Sequence, residues 1–427
     1  MTPRPALCAA LFLAASSAMA QRPVIDISNA RVQAYPIALA PPQGDGAGQE
    51  ILAVLQADFD RSGLFKVLDP RSFLAPADEG VAEKSIDFSR WTSVGAQGLV
   101  KLVASAQGDR LAAEFHLYDA PRAREALQKT YTLPRSQLRQ LAHRFADDVV
   151  RLFTQDPGVF STRIAYVRET PSGKQIAVAD SDGFGGQQLT MASINLLPSW
   201  MPDGHAIAFT TFRDGNGAHI YSVDPSTRAL RPLVTSGDFA TGAAFSPDGS
   251  RVLFTSSVEE NTDIYAARSD GSGAKRLTES RGIDVSATFS PDGKQIAFVS
   301  DRAGSPQIYL MNADGSGVRR LTFQGNFNQE PAWSPKGDLI AFTGRDEKRS
   351  FDVYTVNAQT GKIARLTQNQ GTNEKPSWAP NGQLVLFSST RTGKRQLWTM
   401  TADGSNPRQV TDEPQGAFDP AWGPLPR

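Results

Sequence analysis

Ala287-Thr-Phe289-Ser-Pro-Asp-Gly293 decides the fold, because the same phrase returns along the chain at a fixed interval. It recurs as Pro198-Ser-Trp200-Met-Pro-Asp-Gly204, Ala243-Ala-Phe245-Ser-Pro-Asp-Gly249, Pro331-Ala-Trp333-Ser-Pro-Lys-Gly337 and Pro376-Ser-Trp378-Ala-Pro-Asn-Gly382. A truncated copy closes the series at Pro420-Ala-Trp422-Gly-Pro424. The aromatics at 200, 245, 289, 333, 378 and 422 are spaced 45, 44, 44, 45 and 44 residues apart. A period near 44 fits four short strands and their turns, the unit of a β-propeller blade.

Reading outward from the aromatic gives the whole blade. The aromatic stands on strand A, and Pro-Asp-Gly then turns the chain, with glycine supplying the positive φ of a tight turn. Strand B follows as Gln295-Ile-Ala-Phe298-Val and strand C as Gln307-Ile-Tyr309-Leu-Met. After an Asp314-Gly315 turn comes strand D, Arg320-Leu-Thr322. These segments are rich in the β-branched and aromatic residues that pack well on a pleated surface. One strand B stands alone: Arg163-Ile-Ala-Tyr166-Val has no Trp-Ser-Pro before it, while Trp422 has no strand B after it. The two incomplete units complete each other. This predicts an all-β six-bladed propeller over residues 160–427, closed by the C-terminal strand so that no sheet edge is left free.

Residues 21–155 lack the repeat and read as a small α/β domain. Tyr35 to Pro41 is a strand, followed by a glycine-rich loop (Gly44, Gly46, Gly48) without the Lys-Ser/Thr of a phosphate-binding loop. Ile51, Val54, Leu55 and Phe59 lie at helical spacing and Gly63 stops that helix. Phe65 to Leu68 is a strand, Leu99–Val103 and Leu111–Tyr118 form a hairpin across Gly108, and Leu138, Leu141, Phe145, Val149 and Leu152 stripe a second helix. Asp156-Pro-Gly158 is a linker. Residues 1–20 read as a signal peptide: Arg4, an apolar run from Ala6 to Ala15, and Ala18-Met19-Ala20, with cleavage before Gln21. Export to the periplasm follows.

The full sequence of 427 residues holds 44 basic and 44 acidic groups, a formal net charge of zero. That balance argues against a general nucleic-acid or anionic-membrane binder. Cys8, the one cysteine, falls inside the leader, so the mature chain offers no thiol, disulfide or cysteine-based metal site. His116, His143, His205 and His219 form no H-x-x-x-H or H-E-x-x-H pair and read as surface or satisfied strand residues. No G-x-S-x-G elbow is present. The Asp-Gly pairs are explained as turns and not as calcium loops. No cofactor, metal site or catalytic residue is expected.

What remains is surface. The A–B and C–D turns lie on one face of a propeller and are short and uniform here. The B–C and D–A loops lie on the other and vary, and variable loops on a rigid scaffold are where binding concentrates. Ile283, Phe239 and Phe327 beside Asp284, Asn328, Glu330, Asn373 and Glu374 give apolar groups within a polar rim, which suits a protein interface.

Leader, α/β domain and six W-S-P-D-G repeats together resemble the TolB family, the periplasmic component of the Tol–Pal system. Ala57-Asp-Phe-Asp-Arg-Ser-Gly-Leu-Phe65, Trp91-Thr-Ser-Val-Gly95 and Thr162-Arg-Ile-Ala-Tyr-Val167 support the resemblance. It implies a non-enzymatic interaction protein. The propeller's channel mouth would bind Pal, the peptidoglycan-associated lipoprotein, through Phe239, Asp284, Ser286, Gln329, Glu330, Asn373 and Glu374. An N-terminal arm with Gln21, Val24, Ile25, Asp26 and Ile27 would bind TolA, the inner-membrane-anchored protein. The implied role is in outer-membrane integrity and cell division. Ile283-Asp-Val-Ser286 departs from the polar Asn-Thr-Glu type expected there. A channel binding a small ligand or glycan, and a hydrolase using channel carboxylates, are the competing readings.

Overall fold

The structure, a computed structural model, describes residues 34–426 apart from Asn216, Ser236, Asp238, Glu259, Glu260 and residues 346–349. The leader and the arm residues Gln21, Val24, Ile25, Asp26 and Ile27 lie outside the described residues.

The N-terminal part is a mixed sheet with two long helices on one face and a short one against the other. Its strands are β1 (Tyr35–Leu39), β2 (Gln43–Gly44), β3 (Phe65–Val67), β4 (Gly98–Gln107), β5 (Arg110–Asp119) and β6 (Arg124–Pro134). They run in the order β3-β1-β4-β5-β6, with β2 added beside β4. The helices are α1 (Ala47–Ser62), α2 (Phe88–Ser93) and α3 (Leu138–Thr154). The stripe Ile51, Val54, Leu55 and Phe59 of α1 is buried, and Gly63 ends the helix at φ 70°. On α3, Leu138, Leu141, Phe145 and Val149 face the same core, and Phe145 stacks on Phe115 of β5 at 4.4 Å. β6 was not foreseen. Its opening, Arg-Glu-Ala-Leu-Gln-Lys, favours a helix, but pairing along the whole of β5 overrides that weak local preference.

The propeller has six blades of four antiparallel strands. We number them by their strands A: Asn195–Trp200, Ala240–Phe245, Asp284–Phe289, Asn328–Trp333, Asn373–Trp378 and Ala417–Trp422. In blade 6, strand A comes from the C-terminus and strands B to D from residues 163–188, with Trp422 opposite Ile164 and Phe418 opposite Val167. The closure read from the repeat is therefore present. Trp422 Nε1 donates to Thr162 Oγ1 at 2.8 Å, anchoring the seam beside the linker.

Strand D is shorter than its Arg-Leu-Thr reading implies, only two residues in blade 3. The threonine explains this. Thr322 Oγ1 accepts from the backbone of Ile308 on strand C at 2.9 Å and donates to Gln307 at 2.8 Å, so a side chain replaces the next rung. The same hydroxyl-to-acceptor bond joins Thr190 to Gln175, Thr278 to Asp263, Thr367 to Asp352 and Thr411 to Gln396. The acceptor also takes Asn328 or Asn373 from the next blade, tying neighbours through fully satisfied buried polar groups. Glycine in the C–D turn serves the same contact. A Cβ at Gly271 (φ +84°) would stand 1.8 Å from the Leu233 carbonyl oxygen of the blade before it.

The N-terminal domain sits on the uniform-turn face. Asn406 in the C–D turn of blade 5 donates to Asp60 O at 2.8 Å, Asn381 in its A–B turn donates to Pro157 O at 2.9 Å, and Lys336 of blade 4 pairs with Asp156 at 3.2 Å. Among the described residues, these contacts all fall on the uniform-turn face.

Because Trp422 is buried at the seam, Trp422→Ala is expected to cost about 3–5 kcal/mol, read as a lower urea midpoint of propeller unfolding. A wild-type midpoint would show that the terminal strand contributes nothing to closure.

Candidate functional site: the channel mouth

Every strand A slips register between its second and fifth residues. At the slip one residue takes left-handed φ: Leu197 (53°), Gly242 (69°), Ser286 (56°), Glu330 (58°), Lys375 (56°) and Asp419 (48°). Five of these six are not glycine, and such backbone strain persists only where surrounding structure enforces it. These residues line one cavity of about 340 Å³ to which all six strands A contribute, so they ring the central channel. They follow the D–A loops by a few residues, which places the ring at the loop-face mouth.

The ring is electrically lopsided. Blades 1 to 3 contribute Leu197, Gly242 and Ser286, and blades 4 to 6 contribute Glu330, Lys375 and Asp419. Glu330 Oε1 pairs with Lys375 Nζ at 3.3 Å. Its Oε2 accepts from Thr343 Oγ1 at 2.8 Å and from Lys375 N at 3.1 Å. Glu374 Oε2 pairs with Arg395 at 3.2 Å. Burial pushes the Asp419 carboxyl up, with Lys375 the main opposing influence. Burial, then Glu330, raises Glu374. Burial works against the Lys375 ammonium, but Glu330 and Asp419 outweigh it and hold its pKa above the ordinary lysine value. Lys375 thus serves Glu330 and Asp419, while Arg395 pairs with Glu374.

The residues expected to bind divide into two groups. Ser286 and Glu330 stand on the ring, Gln329 and Glu374 are half-buried beside it, and Phe239 is half-buried on the loop face, bridged to Ala218. Asp284 and Asn373 require correction, because both are fully buried and cannot touch a partner. Asp284 accepts from Arg302 at 2.8 Å and from Ser280 at 3.2 Å. Asn373 donates to Asp352 at 3.0 Å and accepts from Ser389 at 2.7 Å. Asn373 joins blade 5 to blade 4, and Asp284 ties its strand to the turn after strand B of the same blade. Reading the sequence missed Lys375 and Asp419, although each precedes a proline two places before a strand A tryptophan. It also missed the apolar loop residues Met191 (85 % exposed) and Phe323 (71 %), and Ile194 with Phe212 next to it. His143, read as a surface or strand residue, lies instead on α3 and is buried against Asp58.

A family profile described as the TolB beta propeller domain matches residues 150–426, and one described as the TolB amino-terminal domain matches residues 23–126. The chain belongs to the TolB family. It is 48% identical over 284 residues to the Tol-Pal system protein TolB of Anaeromyxobacter dehalogenans, an alignment spanning 65% of each protein. The crystal structure of TolB from Acinetobacter baumannii superposes with a TM-score of 0.83 at 32% identity, covering 94% of this chain and 99% of that one. A putative TolB from Agrobacterium tumefaciens, 19% identical with a TM-score of 0.50 over 62% of this chain and 99% of that one, shares the fold. Two motifs that carried the TolB resemblance have structural roles. Asp58 and Arg61 pair at the domain junction, and Trp91 is buried with its Nε1 on Glu79.

Lys375→Met would leave Asp419 and Glu330 without their shared cation. The Asp419 carboxyl, already raised by burial, would rise further above its ordinary value of 3.8. Carboxyls raised on folding bind more protons in the native state, so stability is present at low pH and lost as pH rises through the folded values. We expect a loss of about 1–3 kcal/mol at pH 7.5 that shrinks at pH 5, measured by chemical denaturation at both pH values. An equal loss at both would mean that the cation does not hold these carboxylates.

Proposed function

We propose that this chain is the periplasmic interaction component of a Tol–Pal system. It docks a Pal-like peptidoglycan-associated lipoprotein on the loop face around the channel mouth, through Phe239, Ser286, Gln329, Glu330 and Glu374. Its arm, with Gln21, Val24, Ile25, Asp26 and Ile27, contacts a TolA-like protein anchored in the inner membrane. Through both contacts it supports outer-membrane integrity and cell division without catalysing a reaction. Among the described residues no helix is long and apolar enough to cross a membrane, so attachment to the envelope would run through partners.

One observation supports this reading above the others. The described contacts of the N-terminal domain fall on the uniform-turn face, and on the loop face Met191, Ile283 and Phe323 are exposed in the loops that lead to a half-charged ring. Apolar anchors within a polar rim are the composition of a protein interface. A short apolar arm adds readily as a strand to the sheet edge of a partner.

The test is a crosslinking pull-down with the mature protein from cell envelopes, followed by calorimetry with the recovered partners. Glu330→Lys combined with Glu374→Lys is expected to weaken the lipoprotein contact at least about tenfold, some 1.4 kcal/mol, with TolA-like binding unchanged. Deleting residues 21–28 is expected to do the reverse. Loss of both contacts in either variant, or of neither, would refute the division of labour. Recovery of no envelope protein would favour a channel ligand.

A further inference from the structure

The junction between the two domains contains a second cluster, unrelated to the channel. His143 of α3 is 2% exposed, and its Nδ1 meets Asp58 Oδ2 at 2.7 Å. Arg61 holds the other oxygen of Asp58 at 3.0 Å. A carboxylate on Nδ1 keeps the imidazole proton there and leaves the Nε2 lone pair to bind something else. Nε2 has no hydrogen-bond partner. It points across the junction to the C–D turn of blade 6, 4.0 Å from Asp182 Oδ2. One donor atom each from His143, Asp180 and Asp182 fall within 4.8 Å of one another.

The Asp180 and Asp182 carboxylates offer oxygens to the same point as His143. Arg61 Nε, Arg61 Nη1 and Arg139 Nε, in the same cluster, also lack partners. Those guanidinium N–H groups are donors and call for solvent, whereas the atom that suits a cation is the unmatched lone pair of His143 Nε2. Arginine does not fill the site. Arg139 pairs with Asp182 and Arg61 with Asp58, and neither guanidinium is in contact with the Asp180 carboxylate.

We infer that His143, Asp180 and Asp182 form a binding site for a first-row divalent cation of the zinc type, shared between the two domains. One imidazole nitrogen with two carboxylates suits zinc, whereas calcium and magnesium prefer all-oxygen shells. Asp58 is the positioning residue that orients the histidine. Arg139 yields its place on Asp182 and stays stacked on the Phe184 ring, 4.0 Å away. Because the histidine comes from α3 and both carboxylates come from the propeller, the cation fastens one domain to the other.

The experiment uses the full mature chain, stripped with chelator and titrated with Zn²⁺ by calorimetry and with Co²⁺ by visible absorption. The expected result is one Zn²⁺ per chain and a Co²⁺ spectrum of low coordination number. Asp180→Asn keeps the Asp58–His143 and Arg139–Asp182 contacts and so tests the site without threatening the fold. It is expected to weaken Zn²⁺ at least about tenfold, and His143→Ala to abolish binding, while His205→Ala and His219→Ala change nothing. Absence of binding tighter than about 100 µM, or affinity unaffected by Asp180→Asn, would overturn the assignment.

Discussion

The ladder between residues 417–422 and 163–168 is the constraint on which the rest of the molecule depends. A ring of sheets is stable only when its first and last members meet, because an open row leaves unpaired edges. Closing so long a loop costs entropy that grows only slowly with length. The seam offsets this cost with a full antiparallel pairing and with a tryptophan that bonds the last strand to Thr162, next to the linker. The linker must therefore leave from the A–B side of blade 6. That fixes the face on which the N-terminal domain rests, opposite the variable loops.

Around this seam the scaffold repeats one polar device. Threonine after strand D bonds aspartate or glutamine on strand C in five blades, and in blades 3, 4 and 6 asparagine on the next strand A closes the set. Buried polar groups are costly when half-satisfied and specify a unique arrangement when complete. Blade 1 departs from the pattern. His219 stands where the others have aspartate or glutamine, and its ring contacts Asp214 and the Gly237 carbonyl instead. The repeat therefore tolerates a change of chemistry wherever another local partner is available.

Much of the fold was legible because periodicity is a global signal. Six aromatics 44 or 45 residues apart survive local noise, and the orphan strand at Arg163 reveals the closure. Legibility failed where tertiary contacts outvote local composition, as in β6, and where facing direction depends on a bulge. Asp284 and Asn373 look like loop-face residues if strand A is read as a regular strand beginning behind an exposed loop. In fact the first residue of strand A turns inward, to Arg302 or Asp352, and the third turns to the channel. The same error hid Lys375 and Asp419. A lone histidine at position 143 carried no spacing signal at all, since its partners lie 85 and 39 residues away in sequence.

The six left-handed residues at the bulges have one more implication, for how such a molecule changes over time. Each comes from a separate blade, and on the charged arc their side chains also join neighbours: Glu330 accepts from Lys375 N, and Asp419 accepts from Leu197 N. The side chains at Leu197 and Ser286 can thus be rewritten singly, whereas those at Glu330, Lys375 and Asp419 have to change together if the wall is to stand. A ring carrying leucine, glycine and serine on one arc and glutamate, lysine and aspartate on the other is one setting among many that a single architecture can hold.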